Sequence, residues 1–547
     1  MRIFSFSPFG YEGALVSVEV DLRRGIPAVD VVGLADGTVK ESRERMQAAI
    51  RNSCLDFPLE RVLISLSPAD LKKEGAGFDL PIALGVLCAQ KEKNMTGAKE
   101  DSFTDNTEIM KKIPNPEEDI LVMGELELSG RIRPVKAIHA AASTAASAGI
   151  FKCIVPSANA QEAREVKGMK AFGADNLTDA FRALYNSESF TASSKKYDSQ
   201  LDDVENSENI NGVLFPKIQN GYEYAEIKGQ KHLLRALQIA AAGGHNLLAV
   251  GAPGCGKTLS IQKFPGLLPL LTPEEGQSVT RILSLAGLLP PSEPLVRTVQ
   301  FRMPHQTASI EGICGGGTSC RPGEISLAHN GVLFLDEAAE FKSSVLQMLR
   351  VPIENGRITL SRAGRSTVYP AQFQLMMAAN PCPCGNNGSK SKICLCSERS
   401  IEQYWKKFSS PLLDRIDLRV FVDSENGTEN PEEKIQKENF STKGWSTQEM
   451  RQDIARAVLT QRNRQGKRNS RLTPEEVSLY CKLSEESKSI LEKAVTRYDL
   501  SPRAQAACIK IARTIADMEG SPDIEIPHIR EAIDYRKGFS SFMNLKD

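Results

Sequence analysis

The sequence is poor in several features that define specialised protein classes. Its 547 residues contain only 2 Trp, and 68 Lys and Arg are balanced by 68 Asp and Glu. The absence of net charge argues against a uniformly basic nucleic-acid coat and against an acidic tail protein, although a local basic patch stays compatible with it. Twelve Cys in a chain of this length are too sparse for a disulfide scaffold, which indicates thiols in a cytosolic protein.

Long apolar runs and targeting signals are also missing. The longest apolar stretch, residues 227–250, is interrupted by Lys, His, Arg and Gly well before the ~20 apolar residues that a bilayer requires. Residues 1–10 lack a basic segment followed by an apolar stretch and a cleavage site. We therefore expect a cytoplasmic protein without a membrane span. With 41% hydrophobic and 25% charged residues, the composition is that of an ordinary multidomain globular protein.

Polar segments divide the chain into regions of different pattern. Residues 186–212 and 424–447 are rich in polar residues and predict a flexible linker and a polar insertion, because they bury too little apolar surface to fold alone. Strand-like and helix-like runs alternate in residues 1–185, which predicts an α/β domain. Residues 213–423 alternate apolar strands with helices, as a parallel sheet requires. Residues 448–547 are predicted to be helical throughout.

A glycine-rich motif follows the strand-like segment 246–250. It fits G-x-x-x-x-G-K-[ST] and consists of Gly251, Ala252, Pro253, Gly254, Cys255, Gly256, Lys257 and Thr258. In this pattern the loop backbone surrounds phosphates, the Lys contacts the β- and γ-phosphate oxygens, and the hydroxyl coordinates Mg²⁺. The motif therefore predicts binding of ATP with Mg²⁺.

A pair of carboxylates ends an apolar segment further along the chain. The sequence Val332-Leu-Phe-Leu-Asp336-Glu337 predicts a buried strand that delivers Asp336 to the Mg²⁺ ion. Glu337 would then polarise the water that attacks the γ-phosphate, since phosphoryl transfer depends mainly on positioning and charge stabilisation. Together with the glycine-rich loop, this pair predicts ATP hydrolysis.

Further polar residues suit a ring-shaped ATPase. Asn380 ends an apolar segment and would orient the attacking water. Arg415 would act as an arginine finger towards a neighbouring subunit, and Arg503 would contact the γ-phosphate from the helical region. Taken singly, a residue of this kind is more often a surface or salt-bridge residue. Their order after the two stronger motifs favours the catalytic interpretation.

Together these motifs resemble an AAA+ ATPase of the magnesium-chelatase-like clade, and more closely the ComM/YifB family. The matching segments are Phe301-Arg-Met-Pro-His305, Arg321-Pro-Gly-Glu-Ile-Ser-Leu-Ala-His-Asn-Gly-Val-Leu-Phe-Leu-Asp-Glu337, Asn380-Pro-Cys-Pro-Cys-Gly385, Pro411-Leu-Leu-Asp-Arg-Ile-Asp-Leu418 and Ala512-Arg-Thr-Ile-Ala-Asp517. The resemblance implies a doubly wound parallel-sheet core with a helical lid, and a hexameric ring that acts on branched DNA. It assigns sensor 1 to Asn380, the finger to Arg415 and sensor 2 to Arg503.

The N-terminal region resembles the proteolytic domain of Lon-type proteases. The resemblance lies in Lys73-Glu-Gly-Ala-Gly77-Phe-Asp-Leu-Pro-Ile-Ala-Leu-Gly85 and Gly124-Glu-Leu-Glu-Leu-Ser-Gly130. Aligning these motifs places the family's Ser nucleophile on Gly77 and its Lys base on Ala141. Neither residue supplies a nucleophile or a base, so we expect no peptidase activity. A role in binding or assembly is the alternative that remains.

Four cysteines lie within fifteen residues of each other. Cys382, Cys384, Cys394 and Cys396 form C-x-C…C-x-C, and four thiolates from two short loops would close a tetrahedral structural Zn²⁺ site. The usual spacing is C-x₂₋₄-C, so free thiols packed in a turn are a second interpretation. A metal there would hold the strand that ends at Asn380.

Two segments are candidates for DNA contact. Residues 451–471 carry seven basic residues against one acid, which predicts either a DNA-tracking surface or a solvated helix and loop. Residues 305–321, with Gly315-Gly-Gly317, are the second candidate. The leading hypothesis is a homohexameric motor that remodels or branch-migrates DNA alongside recombination proteins. The alternatives are a chelatase-type chaperone that drives metal insertion through a partner protein, and an ATP-switched assembly module.

Overall fold

The computed structural model describes residues 2–34, 36–69, 71, 73, 75–97, 119–191, 207–218, 221–227, 230–290, 293–317, 319–362, 365–388, 392–422 and 445–543. Residues 192–206 of the predicted linker and 424–444 of the predicted insertion lie outside these ranges. Within the described ranges, every helix is too short or too polar to cross a bilayer.

The N-terminal unit is built on one mixed sheet with helices on both faces. Among the described residues the sheet has seven strands in the order β3-β4-β2-β1-β5-β8-β9. The strands of the unit are β1 Ile3–Ser7, β2 Ala14–Arg23, β3 Val29–Val32, β4 Arg61–Ser67, β5 Ile120–Val122, β6 Glu125–Leu126, β7 Ile132–Arg133, β8 Lys152–Pro156 and β9 Lys170–Ala174. Its helices are α1 Gly37–Asn52, α2 Asp79–Gly97, α3 Ile138–Ser147, α4 Ala160–Arg164 and α5 Leu177–Ala183. Helices α1, α2 and α5 cover one face, and α3 and α4 cover the other.

The central core is a parallel sheet in the order β13-β16-β19-β12-β20. The strands of this region are β10 Ser207–Ile210, β11 Val213–Pro216, β12 Leu247–Gly251, β13 Phe301–Arg302, β14 Gly315–Gly316, β15 Arg321–Pro322, β16 Val332–Leu335, β17 Arg357–Arg362, β18 Arg365–Pro370, β19 Gln374–Ala379 and β20 Leu418–Val422. Its helices are α6 Lys231–Gly243, α7 Lys257–Gln262, α8 Pro273–Ala286, α9 Ile310–Cys314, α10 Glu324–Leu327, α11 Ser343–Met348, α12 Arg350–Asn355, α13 Glu398–Lys406 and α14 Ser410–Leu413.

Side chains along each core strand alternate between the two faces of the sheet, and both faces are covered by other elements. In β12, Leu247 and Ala249 pack into one hydrophobic cluster, and Leu248 and Val250 pack into another on the opposite face. Such strands are apolar at every position, as parallel sheets with helices on both sides require. The predicted doubly wound parallel sheet is confirmed.

The C-terminal region is helical, as predicted. Its helices are Thr447–Gln465, Pro474–Tyr480, Glu485–Tyr498, Pro502–Glu519 and Ile526–Met543. Two of them begin with capping boxes, in which Ser446 pairs with Glu449 and Thr473 pairs with Glu476. The helices pack on α6 and on the face of the core sheet that holds Leu247 and Ala249.

The N-terminal unit is attached to the core through the turn before β2. The Arg281 Nε donates to the Tyr11 carbonyl oxygen at 3.1 Å, and the guanidinium lies 4.7 Å from the centroid of the Tyr11 ring. The Tyr11 backbone N–H donates to Thr367 Oγ1 at 3.0 Å, and its ring meets Tyr369 edge-on. The N-terminal unit therefore contacts both helix α8 and the β17–β18 hairpin.

Candidate active site

The glycine-rich loop joins strand β12 to helix α7 at the carboxyl edge of the core sheet. Gly254 and Gly256 have φ values of 81° and 83°, a left-handed conformation that residues with a Cβ disfavour. Lys257 is buried, and its Nζ donates to the carbonyl oxygens of Gly251 at 2.7 Å and Ala252 at 2.9 Å. Because both acceptors are uncharged, a phosphate oxygen in the loop would be a stronger partner for the ammonium group.

The carboxylate pair lies beside this loop. The Thr258 Oγ1 donates to Asp336 Oδ1 at 3.0 Å, which joins the start of α7 to the end of β16. A hydroxyl and a carboxylate oxygen in contact are the hard oxygen ligands that Mg²⁺ prefers, so the donor set fits the ion.

The neighbouring acid, Glu337, is exposed and strained. Its φ of 47° is left-handed, a conformation that costs a non-glycine residue on the order of 1–3 kcal/mol and is concentrated at functional sites. The Glu337 backbone N–H donates to Asp336 Oδ1 at 3.0 Å, which fixes the turn. The strained turn directs the chain away from the strand immediately after the carboxylate that faces Thr258.

Asn380 follows strand β19, which lies between β12 and β16. The register pairs Ala379 with Val250, so Asn380 lies at the same edge as the glycine-rich loop. The structure therefore brings Lys257, Thr258, Asp336, Glu337 and Asn380 to one edge of the sheet.

Arg415 and Arg503 lie at the opposite edge. Arg415 precedes β20, and its carbonyl oxygen accepts a hydrogen bond of 3.1 Å from Asn246, the residue before β12. Both guanidinium groups bind one carboxylate: Arg415 Nη2 donates to Glu354 Oε2, and Arg503 Nη2 donates to Glu354 Oε1 at 2.6 Å. The hydrogen bond from Arg415 and the charge of both arginines lower the pKa of Glu354 below its ordinary value.

A cleft of about 940 Å³ surrounds this trio. Its lining includes the starts of β16 and β19 together with Arg415, Arg503, Arg462 and Lys510. The cleft thus presents several cations on the face away from the glycine-rich loop of the same chain. Arg415, which was predicted to act on a neighbouring subunit, and Arg503, which was predicted to contact the γ-phosphate from the helical region, both line this cleft. Within one chain, neither lies at the edge that holds the glycine-rich loop.

The structure gives most of the basic segment 451–471 a different role from either one that its sequence suggested. Six basic side chains of this segment donate hydrogen bonds to other groups of the protein or form ion pairs with them: Arg451, Arg456, Arg464, Lys467, Arg468 and Arg471. Arg464, for example, binds the buried carboxylate of Asp517 through two nitrogens at 2.7 and 2.9 Å. These side chains attach the C-terminal helices to each other and to the core, and the prediction that they contact DNA is not tested by these contacts. Arg462 lines the cleft, as do Lys467, Arg468 and Arg471.

The second candidate segment, residues 305–321, forms α9 and the short β14–β15 ribbon. Gly315 has a φ of 96°, and a Cβ there would lie 2.7 Å from the Gly323 nitrogen, so the ribbon depends on glycine. Arg321 is exposed.

The four clustered cysteines are brought together. The Sγ atoms of Cys382, Cys384, Cys394 and Cys396 all lie within 4.8 Å of one another. Hydrogen bonds from the Asn386 backbone and from Cys382 lower the pKa of Cys384 to about 6. Burial raises the pKa of Cys382 instead, to about 12. Four cysteine sulfurs gathered within this distance form the donor set of a structural Zn²⁺ site.

The positions aligned with a protease dyad are structurally inert. Gly77 lies in a 3₁₀ turn before α2, and a Cβ there would contact only the Met123 methyl at 3.7 Å. Ala141 is fully buried in α3. Lys73 is buried as well, and its Nζ donates to the Pro68 carbonyl oxygen.

Two residues that brace these edges were not predicted. Gln230 donates to the Cys255 carbonyl oxygen and accepts a 3.1 Å hydrogen bond from Ser260, so it supports the glycine-rich loop from the start of α6. Glu354 pairs with both arginines. Neither lies in a recognisable motif, because their partners are distant in sequence.

Comparison with known proteins accounts for these features together. Residues 223–430 match the family model for magnesium chelatase subunit ChlI, residues 18–104 and 106–159 match a second ChlI model, and residues 444–536 match the ChlI C-terminal model. The competence protein ComM of Haemophilus influenzae is 36% identical over 98% of this chain and 97% of its own length. YifB of Escherichia coli is 36% identical over 96% of this chain and 95% of its own. The magnesium-chelatase 38 kDa subunit of Acidiphilium rubrum is 24% identical over 29% of this chain and 53% of its own.

Proposed function

The chain belongs to the ComM/YifB family of magnesium-chelatase-like ATPases, and on that premise we propose that it is an ATP-driven ring motor that remodels DNA. One observation carries the ring mechanism: catalytic groups lie on both edges of a single sheet. Thr258 and Asp336 lie at the carboxyl edge, whereas Arg415 lies at the amino edge beside Asn246.

The carboxyl edge would bind and hydrolyse ATP. The loop backbone and Lys257 bind the phosphates, and Thr258 and Asp336 hold Mg²⁺. When bound, this ion neutralises negative charge on the phosphate oxygens. Glu337 accepts the proton of the attacking water, and Asn380 orients that water.

The amino edge would complete the site of a neighbouring chain. Arg415 and Arg503 act on the γ-phosphate of the next subunit after they leave Glu354. A head-to-tail arrangement of identical chains presents the amino edge of one copy to the carboxyl edge of the next, and such an interface closes into a ring. We propose a hexamer.

The proposed substrate of the motor is branched DNA. A relative that covers almost the whole chain is named as a competence protein, and the resemblance to the ComM/YifB family implies action on branched DNA. Branch migration together with recombination proteins fits a motor of this kind. The test is ATP hydrolysis and strand migration with single-stranded, duplex and four-way-junction DNA. ATP hydrolysis that the four-way junction stimulates, together with strand migration, supports the proposal. A rate of ATP hydrolysis that none of the three DNAs changes contradicts it.

A chelatase-type chaperone is the second candidate, because all three matching family models are named for a magnesium chelatase subunit. The chelatase subunit itself matches 29% of the chain, against 98% for ComM, which favours the DNA motor. Stimulation of ATP hydrolysis by a metal-insertion partner protein, with no response to DNA, would favour the chaperone.

The N-terminal unit would serve assembly rather than proteolysis. It resembles the Lon proteolytic domain in its glycine-rich motifs, but Gly77 and Ala141 supply neither nucleophile nor base. Its contacts with Arg281 and Thr367 connect it to the core beside the β17–β18 hairpin. Purified protein should leave casein intact, and cleavage that co-purifies with the chain through successive columns would contradict this role.

A further inference from the structure

The geometry of the cysteine cluster matches a metal site more closely than any other thiol arrangement. Cys382 Sγ lies 3.4 Å from Cys384 Sγ and 3.6 Å from Cys394 Sγ, and Cys384 and Cys394 are 3.6 Å apart. Four sulfur ligands around tetrahedral Zn²⁺, each about 2.3 Å from the ion, are about 3.8 Å from one another. A disulfide brings two sulfurs to about 2.05 Å, so none of these pairs is bonded.

The side chains around the cluster are arranged opposite to those of a packed apolar turn. Ile393 and Leu395 are 83% and 89% exposed, whereas the Cys394 and Cys396 beside them are half-buried. A turn held by apolar packing would bury its Ile and Leu side chains as well. A segment that exposes its aliphatic residues and gathers its thiols is held by what the thiols bind.

The backbone around the sulfurs holds them in place. The Asn387 N–H donates to Cys382 Sγ at 3.3 Å. Gly385 has a φ of 78°, and its N–H donates to the Cys382 carbonyl oxygen at 2.9 Å, which folds the first C-x-C pair into a tight turn. Hydrogen bonds of this kind orient metal ligands and stabilise their charge.

We propose that Cys382, Cys384, Cys394 and Cys396 bind one structural Zn²⁺ ion that fixes a wall of the nucleotide site. The turn touches the glycine-rich loop, because a Cβ on Gly385 would lie 2.6 Å from Pro253 Cδ. The cluster also follows Asn380 directly, and Trp405 Nε1 donates to the Pro381 carbonyl oxygen at 3.1 Å between them. A metal here would therefore hold the sensor residue and the loop at a constant separation.

The first measurement is the zinc content of the purified full-length chain by elemental analysis. We expect about one Zn²⁺ per chain, as four thiolates form a closed structural site. The double variant Cys384→Ser/Cys396→Ser should lose the metal. Cys54→Ser, which removes an exposed thiol in the N-terminal unit, and Leu395→Ser, which changes an exposed neighbour, should both retain it.

Cobalt substitution provides a readout that does not depend on activity. The chain stripped of metal and loaded with Co²⁺ should show the visible bands of tetrahedral thiolate coordination, and the double variant should not. Circular dichroism of the double variant confirms that its helices persist. A chain that holds no Zn²⁺ as purified or after incubation with Zn²⁺ and reductant, or a double variant that still holds it, would overturn the proposal.

The effect on turnover rests on the proposed ATPase function, whereas zinc binding does not. Loss of the metal should lower ATP turnover about 10²-fold, because small displacements of positioned groups carry penalties of that size. If the wild-type chain binds zinc and hydrolyses no ATP, the proposed function fails and the metal site stands. If removal of zinc leaves ATP turnover unchanged, the zinc ion is structural but does not position the residues of the nucleotide site, and that part of the proposal is wrong.

Discussion

The two edges of the core sheet differ in how their residues are held. At the carboxyl edge, Lys257 binds carbonyl oxygens of its own loop, and Thr258 binds Asp336, which is 78 residues away but belongs to a second short motif. At the amino edge, Arg415 and Arg503 come from segments 61 and 149 residues away from Glu354, and both bind it. The residues at the carboxyl edge are arranged to bind phosphate. The two arginines at the amino edge are paired with the carboxylate of Glu354.

In the proposed ring, this difference would divide each catalytic site between two chains. An arginine at the amino edge would act on the nucleotide of another copy, so its contribution would require assembly. The carboxyl edge would bind nucleotide within its own chain. Variants at the two edges should therefore differ in whether a second chain can rescue them.

The largest effect is expected for Arg415→Ala. Loss of an arginine finger should lower kcat about 10⁴-fold, while ATP affinity changes little, because the finger stabilises charge in the transition state. ATP turnover and nucleotide binding measure the two quantities. Mixing this variant with Lys257→Ala should restore part of the activity, since an intact loop on one chain meets an intact arginine on the other.

The control is a mixture of the single variants Lys257→Ala and Glu337→Gln. Both changes lie at the carboxyl edge, so no complete site forms and no recovery is expected. If Arg415→Ala with Lys257→Ala stays as inactive as its components, the division of the site between two chains is wrong.

Glu337→Gln should have the next largest effect. Removal of the general base should lower kcat about 10³-fold while ATP binding and ring assembly persist. Turnover, nucleotide affinity and sedimentation of the ATP-bound protein give the three readouts. The exposed neighbour Glu340 supplies the matched control Glu340→Gln, which should hydrolyse ATP normally. Normal turnover by Glu337→Gln would reject its assignment as the base.

Arg503→Ala should have a smaller effect than Arg415→Ala. Loss of one charged donor to the γ-phosphate lowers kcat about 10²-fold, and Arg503→Lys should keep part of the activity by retaining the charge. Steady-state turnover in assembled protein separates the variants. Arg497→Ala, which removes an exposed arginine that contacts only the Tyr498 ring among the described interactions, is the control and should be neutral.

The carboxyl edge could be predicted from sequence because its chemistry is local. A glycine-rich loop needs its residues in order, and Asp336 and Glu337 end an apolar run that must be a buried strand. Parallel strands then bring Asn380 to the same edge without further information. The cysteine cluster was predicted for the same reason.

The amino edge could not be predicted in the same way. No sequence motif contains Glu354 together with Arg415 or Arg503. A count of charged residues does not show which acid pairs with which base. Residues 451–471 illustrate this: their excess of basic residues predicts either a DNA-tracking surface or a solvated helix and loop, and neither interpretation identifies Asp517, which is buried 53 residues away, as the partner of Arg464. Long-range ion pairs depend on the tertiary fold, which local charge patterns do not encode.

The smallest effect is expected for Glu354→Gln. Glu354 is partly exposed and ionised at neutral pH, since its pKa is lowered by Arg415 and Arg503. The ion pairs are complete above the ordinary Glu pKa and are lost only as the pH falls through the lowered value. Exposed pairs contribute about 0–1 kcal/mol each, so neutralising Glu354 should raise ATP turnover a few-fold at low protein concentration.

The reason for this rise is that assembly must separate both arginines from Glu354 before they reach the next chain. At saturating protein concentration, where assembly is complete, turnover by Glu354→Gln should equal that of the wild type. Turnover measured against protein concentration distinguishes these regimes, and Glu402→Gln, which loses an exposed ion pair with Lys406 elsewhere, should show neither change. A fall in turnover at every concentration would mean that Glu354 holds the two arginines in their working position, and the amino edge would then be preformed like the carboxyl edge.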